Sequence, residues 1–177
     1  LQFLHVPSLL LILALVDLIM PVVAYMILEG RRHRAVKLWC SGDLLLGLSM
    51  VFFALRGQVP DWVSFPLPNF LMFVGIMVRI QSLRLDLGAP MSLRVMAAIT
   101  ALFMLGHEGI RLGFQDEWLR LIYTQSIHVV MYVALAALAW RIARQEQRHA
   151  ARWISGVYML LVVAIIPFTR LLTGTSI

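Results

Sequence analysis

Apolar segments, each roughly long enough to cross a membrane as a helix, follow one another along this chain and are separated by short polar stretches. A helix needs about 20 predominantly apolar residues to cross a bilayer, whereas barrel strands alternate over about 10. The sequence therefore predicts an all-α integral membrane protein, a single domain built as a bundle of about six transmembrane helices. The predicted spans cover residues 7–28, 38–55, 67–83, 92–110, 117–140 and 153–172.

Composition agrees with this class. Hydrophobic residues make up 61% of the 177 residues and charged residues 14%, whereas soluble domains are about half apolar and a quarter charged. The net charge of +6 does not indicate nucleic-acid binding, because the basic residues lie in short loops between the predicted spans. The single cysteine, Cys40, excludes an internal disulfide.

Basic residues are unequally divided between the two sides of the predicted bundle. Most of the 15 Lys and Arg residues lie after spans 1 and 5 and around the end of span 3. The positive-inside rule assigns these segments to the cytoplasm and the N-terminus to the outside. A cytoplasmic output domain then requires one more span after residue 177, so we expect a truncated seven-helix module; a complete six-span protein is the alternative.

Asp43 and Arg79 are charged residues inside predicted spans 2 and 3. Each lies about five residues from the predicted cytoplasmic end of its span, so their depths match. Ionisable residues inside spans are costly and are usually paired or functional. We predict an Asp43–Arg79 ion pair that clamps a helix hairpin, with a role in signalling or transport as the alternative. Gly47 shares a face with Asp43, which predicts a packing surface.

A second polar group lies near the middle of predicted spans 1 and 5. Asp17 is followed four residues later by Pro21, which removes the helical donor to the Asp17 carbonyl. Gln125 and His128 lie at a similar predicted depth. We expect Asp17, Gln125 and His128 to form a proton-sensitive or small-ligand pocket; a buried hydrogen-bonded pair without a ligand is the alternative.

His107 and His128 are the residues that bear on cofactors. Axial histidines are suitable ligands for haem b, but two histidines alone are a weak pattern. We therefore predict no cofactor and no metal site, and keep haem b as an alternative. The sequence contains no Walker loop and no HExxH, CxxC or GxSxG motif, so it predicts no catalytic centre in this chain.

The hairpin of spans 2 and 3 carries a more specific pattern. It consists of Trp39, Gly42, Gly47, Leu55-Arg56-Gly57, Val59-Pro60-Asp61, Ser64, Pro68-Asn69 and Gly75, followed by a basic end. In these residues the chain resembles the N-terminal membrane region of certain bacterial GGDEF-type diguanylate cyclases, and the resemblance extends more loosely over residues 10–172.

The resemblance implies a sensory input domain in the bacterial inner membrane. Its signal would be an unknown small ligand or a change in the lipid bilayer. The resemblance also implies a homodimer that controls cyclic di-GMP synthesis by a cytoplasmic cyclase. The GGDEF residues are absent from this chain, and Asp43 and His128 depart from the family pattern. From the residues alone, the alternatives are a small transporter or channel, a bis-His haem b protein and a structural membrane subunit.

Overall fold

A computed structural model describes residues 6–27, 34–60, 63, 65–114, 117–146, 155–157 and 159–160. The described residues form five long helices, and residues 155–157 and 159–160 are also helical. No strand occurs in these ranges, where Arg56 and Val59 form only an isolated bridge. The helices are α1 (Val6–Ile27), α2 (Arg34–Ala54), α3 (Pro66–Asp86), α4 (Leu93–Gly113) and α5 (Glu117–Glu146).

Within the described residues, four helices are long and apolar enough to cross a membrane. They correspond to α2, α3, α4 and most of α5, and a shorter apolar stretch, Leu10–Met26, lies in α1. The predicted all-helical architecture is thus confirmed, together with the membrane-spanning length of four helices. The predicted sixth span, 153–172, lies mostly outside the described residues.

α2 and α5 extend furthest beyond the apolar segments from which their spans were predicted. α2 begins at Arg34, four residues before the predicted span, and α5 continues to Glu146 instead of ending at residue 140. The added segments are rich in Arg, Lys, Ala, Gln and Glu, which are good helix formers. Hydropathy marks where a segment stops being apolar, and the backbone hydrogen bonds of a helix continue past that point.

The chain divides into two compact units, Leu1–Glu108 and Gly109–Ile177, with the boundary inside α4. In the first unit, α2 packs against both α1 and α3 and is therefore its central helix. Phe73 and Ile76 of α3 are fully buried. The ring of Phe73 lies 5.6 Å from that of Phe103, centroid to centroid, at an interplanar angle of 52°.

Short turns join α2 to α3 and α3 to α4. Gly57 has a φ angle of 85° and Gly88 a φ angle of 70°. Residues other than glycine rarely adopt such positive φ angles. The second turn is also fixed by Gln81, whose Nε2 donates to the Met91 carbonyl at 3.0 Å. The Met91 N–H in turn donates to Oε1 of Gln81 at 2.9 Å. The turn between α3 and α4 is therefore defined by local hydrogen bonds.

In the second unit, α5 has one buried face. Its buried residues recur at spacings of three and four, as expected for one side of a helix. Ser155 Oγ donates to the Ala136 carbonyl at 3.0 Å, which ties the helical segment after α5 to α5 itself. The buried residues are Thr124, His128, Met131, Leu135, Ala136, Ala139, Ile142 and Ala143.

Candidate functional site

Glycines bring α2 and α3 into backbone contact. A Cβ atom placed on Gly42 would lie 2.8 Å from the Gly75 carbonyl oxygen, and one placed on Gly75 would lie 2.9 Å from the Gly42 oxygen. Real Cβ atoms do not approach so closely, so neither position accepts a side chain without displacing the backbone. Small residues of this kind allow membrane helices to pack closely. Arg79, one turn after Gly75, consequently reaches α2.

This close approach places Arg79 and Asp43 in an ion pair. Nε and Nη2 of Arg79 both contact Oδ1 of Asp43, and the two side chains are only 14% and 13% exposed. Trp39 hydrogen-bonds to Asp43, and its ring centroid lies 5.4 Å from Cζ of Arg79. The structure thus brings together the two residues that the sequence analysis paired.

Asp17 approaches this pair from α1. Its half-buried carboxylate interacts electrostatically with both Arg79 and Asp43. Three helices therefore contribute one ionisable side chain each to a group that we call the charged cluster: Asp17, Asp43 and Arg79. The sequence analysis placed Asp17 in a different group, with Gln125 and His128.

The position of α1 depends on Gly47 of α2. A Cβ atom on Gly47 would lie 2.8 Å from Cγ of Leu18 and 3.2 Å from the Ala14 carbonyl oxygen. Ala14 is 1% exposed, and Pro21, further along α1, is also buried. Asp17 lies between these contacts along α1, and Asp43 lies one turn before Gly47 on α2. The packing therefore sets the two carboxylates close to each other.

Helix boundaries explain why Asp17 and Asp43 lie at one depth. Asp17 is ten residues before the end of α1 at Ile27, and Asp43 is nine residues after the start of α2 at Arg34. At about 1.5 Å per residue, each lies roughly 14–15 Å from its end of the connecting segment. The prediction began span 2 at residue 38, which placed Asp43 too close to the helix end.

One guanidinium cannot balance two carboxylates. With all three groups ionised, the charged cluster has one net negative charge. A charged side chain at the centre of a membrane helix costs about 2.5–3.5 kcal/mol on insertion scales, so such residues are rare and are usually paired or functional. Among the described residues, no three His, Cys, Asp or Glu side chains are grouped so that they could hold a metal ion.

Buried hydroxyl groups connect α2 and α3 on both sides of the charged cluster. Ser49 Oγ donates to the Pro68 carbonyl at 2.7 Å, and Ser82 Oγ donates to the Ala35 carbonyl at 2.7 Å. Both serines are buried, with exposures of 0% and 3%. Buried polar groups are almost always hydrogen-bonded, and here the bonds cross between helices. Neither serine was predicted from the sequence, because a serine in an apolar span has no distinctive pattern.

The other predicted site residues are divided between the two units. His107 is buried in the first unit, and its Nδ1 lies 3.2 Å from Oε1 of Glu108. His128 is buried and Gln125 half-buried on α5 of the second unit. The Asp17–Gln125–His128 pocket and the haem site at His107 and His128 each draw on both units, and both stay predictions.

An apolar groove of about 660 Å³ lies between α3 and α4 in the first unit. Its lining includes Phe70 and Met77 of α3 and Met96, Thr100 and Met104 of α4, and contains no charged residue. Because this groove depends on how two apolar helices diverge, periodicity and composition gave no sign of it.

Comparisons with known proteins identify no relative, since no family model, no curated protein and no solved structure matches the chain. Function is therefore inferred from the charged cluster, from the helix packing around it and from the residues that carry the resemblance. Of these, the charged cluster has the clearest chemical consequence, because its charges do not balance.

Proposed function

We propose that this chain is the membrane-embedded input domain of a bacterial signalling protein, and that the output it controls is a diguanylate cyclase. The charged cluster carries this proposal. Its members come from three helices, and Asp17 and Asp43 lie well away from the helix ends. Ionisable residues at such depth are usually paired or functional, and one guanidinium leaves the second carboxylate unbalanced. The absence of a catalytic motif from the sequence favours regulation over catalysis.

Four residues that carry the resemblance support the second part of the proposal, because they have distinct physical roles in or next to the α2–α3 hairpin; Asp61 and Ser64 of the same pattern lie outside the described residues. Gly42 and Gly75 meet backbone to backbone. Gly57 has a positive φ. Asn69 Nδ2 donates to the Phe65 carbonyl at 2.7 Å. A likeness at such positions is more specific than a likeness between apolar helices, which share composition whatever their function.

The first unit is suited to a two-state mechanism. α2 and α3 form a fixed hairpin, whereas α1 contacts α2 through Gly47 and through the charged cluster. A signal that changes the charge of the cluster changes the preferred position of α1, and a ligand or charge can bias such an equilibrium only through this kind of differential interaction. In an inner-membrane homodimer, a shift of α1 would alter the spacing of the two cytoplasmic cyclase domains.

The coding sequence beyond residue 177 gives the first test. We expect a further span followed by a GGDEF-bearing domain. An output domain of another class, or no output domain, would contradict the proposal of a cyclase input domain.

Cellular cyclic di-GMP gives the second test. We expect Asp17→Asn in the full-length protein to change cyclic di-GMP by several-fold at equal protein level in the membrane. Ser41→Ala is the matched control, because the exposed Ser41 hydroxyl bonds only to the Lys37 carbonyl of its own helix, at 2.8 Å. Equal cyclic di-GMP in wild type and Asp17→Asn under every stimulus tried would remove the charged cluster from the signalling path.

Transport is the second candidate function, because intramembrane charges also line ion pathways. In proteoliposomes, a proton flux that the wild-type chain supports and Asp17→Asn abolishes would favour a transporter over an input domain. Wild-type vesicles that are no more permeable than empty ones would count against transport.

A further inference from the structure

We propose that Asp17 is a proton-binding site, and that the charged cluster gains or loses one proton there while Asp43 stays ionised beside Arg79. This inference rests on the proposed function and deepens it, because it names the proton as the signal that the cluster receives. The step itself is a transfer of one proton between water and a carboxylate oxygen of Asp17, with no other bond made or broken.

The charge balance provides the first reason. Two carboxylates share one guanidinium in a region built from apolar helices. A proton on either carboxylate cancels the net negative charge of the cluster. Desolvation acts on both carboxylates, and the like charge of Asp17 acts on Asp43. Both effects favour the neutral form of a carboxyl group.

The difference between the two carboxylates provides the second reason. Asp43 accepts Nε and Nη2 of Arg79 and is hydrogen-bonded by Trp39. For Asp17, the described residues provide electrostatic attraction to Arg79 but no hydrogen bond. Hydrogen bonds to an ionised carboxylate stabilise that form. The proton therefore belongs on Asp17.

The surroundings of Asp17 favour a proton over a metal ion. The charged groups that act on Asp17 are Asp43 of α2 and Arg79 of α3. A metal ion keeps its charge and is repelled by the adjacent guanidinium, whereas a bound proton leaves a neutral carboxyl group. The described residues also provide no cluster of three or more His, Cys, Asp or Glu side chains for a metal.

Protonation has a structural consequence for α1. When Asp17 is ionised, it is repelled by Asp43 and competes with it for Arg79. When Asp17 is neutral, that competition ends and Asp43 is the one ionised carboxylate of the cluster that attracts Arg79. Gly47, four residues after Asp43 on α2, contacts Ala14 and Leu18 of α1, which lie on either side of Asp17 along that helix. The change at the cluster is therefore transmitted to the α1–α2 contact.

Infrared difference spectroscopy of the full chain in lipid nanodiscs, recorded over a pH series, tests the proposal. We expect a protonated-carboxyl band that is lost in Asp17→Asn and kept in Asp86→Asn, a control at the exposed end of α3. A band that persists unchanged in Asp17→Asn would overturn the proposal. If Asp17→Asn does not fold, Asp17→Glu must keep a carboxyl band at a changed frequency, and an unchanged band again overturns it.

Asp43→Asn distinguishes the two carboxylates. Removal of Asp43 frees Arg79 for Asp17 and removes a like charge, so the Asp17 band should remain and its midpoint should move to lower pH. Disappearance of the band at every pH would assign the proton to Asp43 and overturn the proposal. The titration midpoint should be the same in sodium and in potassium salt. A different midpoint in sodium would indicate a cation site and would also overturn the proposal.

The outcomes separate this inference from the proposed function. A pH-dependent band that is lost in Asp17→Asn, together with unchanged cyclic di-GMP in that variant, supports the proton site and contradicts the input function. Cyclic di-GMP that depends on Asp17 without any pH-dependent carboxyl band contradicts the proton site and leaves the input function supported.

Discussion

The two sides of α2 are packed in different ways. Towards α3, the backbones touch at Gly42 and Gly75, Arg79 pairs with Asp43, and a buried serine hydroxyl bonds across the interface on either side of them. Towards α1, the contact centres on Gly47, and the described residues show no side-chain hydrogen bond across it. The polar bonds that fix one helix against another are thus concentrated on one side of α2.

This difference separates a structural interface from an adjustable one. Hydrogen bonds and a close backbone contact hold α2 against α3, whereas side-chain packing and unbalanced charge lie between α1 and α2, so we expect α1 to shift more easily. The proposed input function needs both, because a displacement of α1 carries a signal only relative to a fixed reference. The following substitutions test whether the two interfaces differ as described.

Removing one partner of the ion pair should have the largest effect. We expect Arg79→Leu to lower the free energy of unfolding by about 3–5 kcal/mol, because Asp43 is left buried without its partner. The double variant Asp43→Leu/Arg79→Leu should recover much of that loss, since no buried charge is then left at the hairpin. Denaturation of the purified protein in detergent measures both. A double variant as unstable as the single one would show that the pair does not act as a unit.

Alanine at two glycines of α2 compares the interfaces directly. We expect Gly42→Ala to cost about 3 kcal/mol, because its Cβ meets a backbone oxygen at 2.8 Å that cannot move alone. Gly47→Ala should cost less, about 1–2 kcal/mol, because the two closest atoms belong to the Leu18 side chain and the Ala14 backbone oxygen lies further away, at 3.2 Å.

Gly109→Ala is the control for these two variants, since nothing lies within 4 Å of its Cβ position and alanine favours a helix. Thermal melting in detergent ranks the three proteins. Equal losses at Gly42 and Gly47 would mean that α1 is held as rigidly as α3.

A buried serine should have the smallest effect of the series. We expect Ser49→Ala to cost about 1 kcal/mol, because it removes the hydrogen bond of 2.7 Å to the Pro68 carbonyl. Ser41→Ala, which removes an exposed bond within one helix, should change stability by less than about 0.5 kcal/mol. If the two variants have the same melting temperature, the hydrogen bond between the helices does not contribute to the stability of the hairpin.

The sequence was sufficient for features that depend on distance along the chain. Long apolar segments predict helices, and a short connection between antiparallel helices predicts that Asp43 and Arg79 meet. It was insufficient where helix rotation or true helix length decides. The sequence placed Gly47 on a common packing face with Asp43 but did not show which helices this face meets: Gly47 contacts α1, whereas Asp43 pairs with Arg79 of α3 and interacts with Asp17 of α1.

The position of Asp17 was predicted wrongly because the true length of α2 was not visible in the sequence. Hydropathy began span 2 at residue 38, whereas α2 begins at Arg34, and the difference of one turn moved Asp43 to the depth of Asp17. The groove between α3 and α4 and the buried hydroxyl of Thr124 were also missed. Thr124 Oγ1 has no hydrogen-bond partner among the described residues, and nothing in an apolar helix pattern distinguishes it.

Cys40 gives this protein a built-in probe. It is the one thiol among the 177 residues, and it is 7% exposed within α2. Its rate of alkylation in the native protein therefore measures how often α2 separates from its neighbours, in the manner of hydrogen exchange. A second cysteine at Met26, which is 66% exposed on α1, would be labelled long before Cys40. Spectroscopic reporters can thus be attached to α1 with the native cysteine in place.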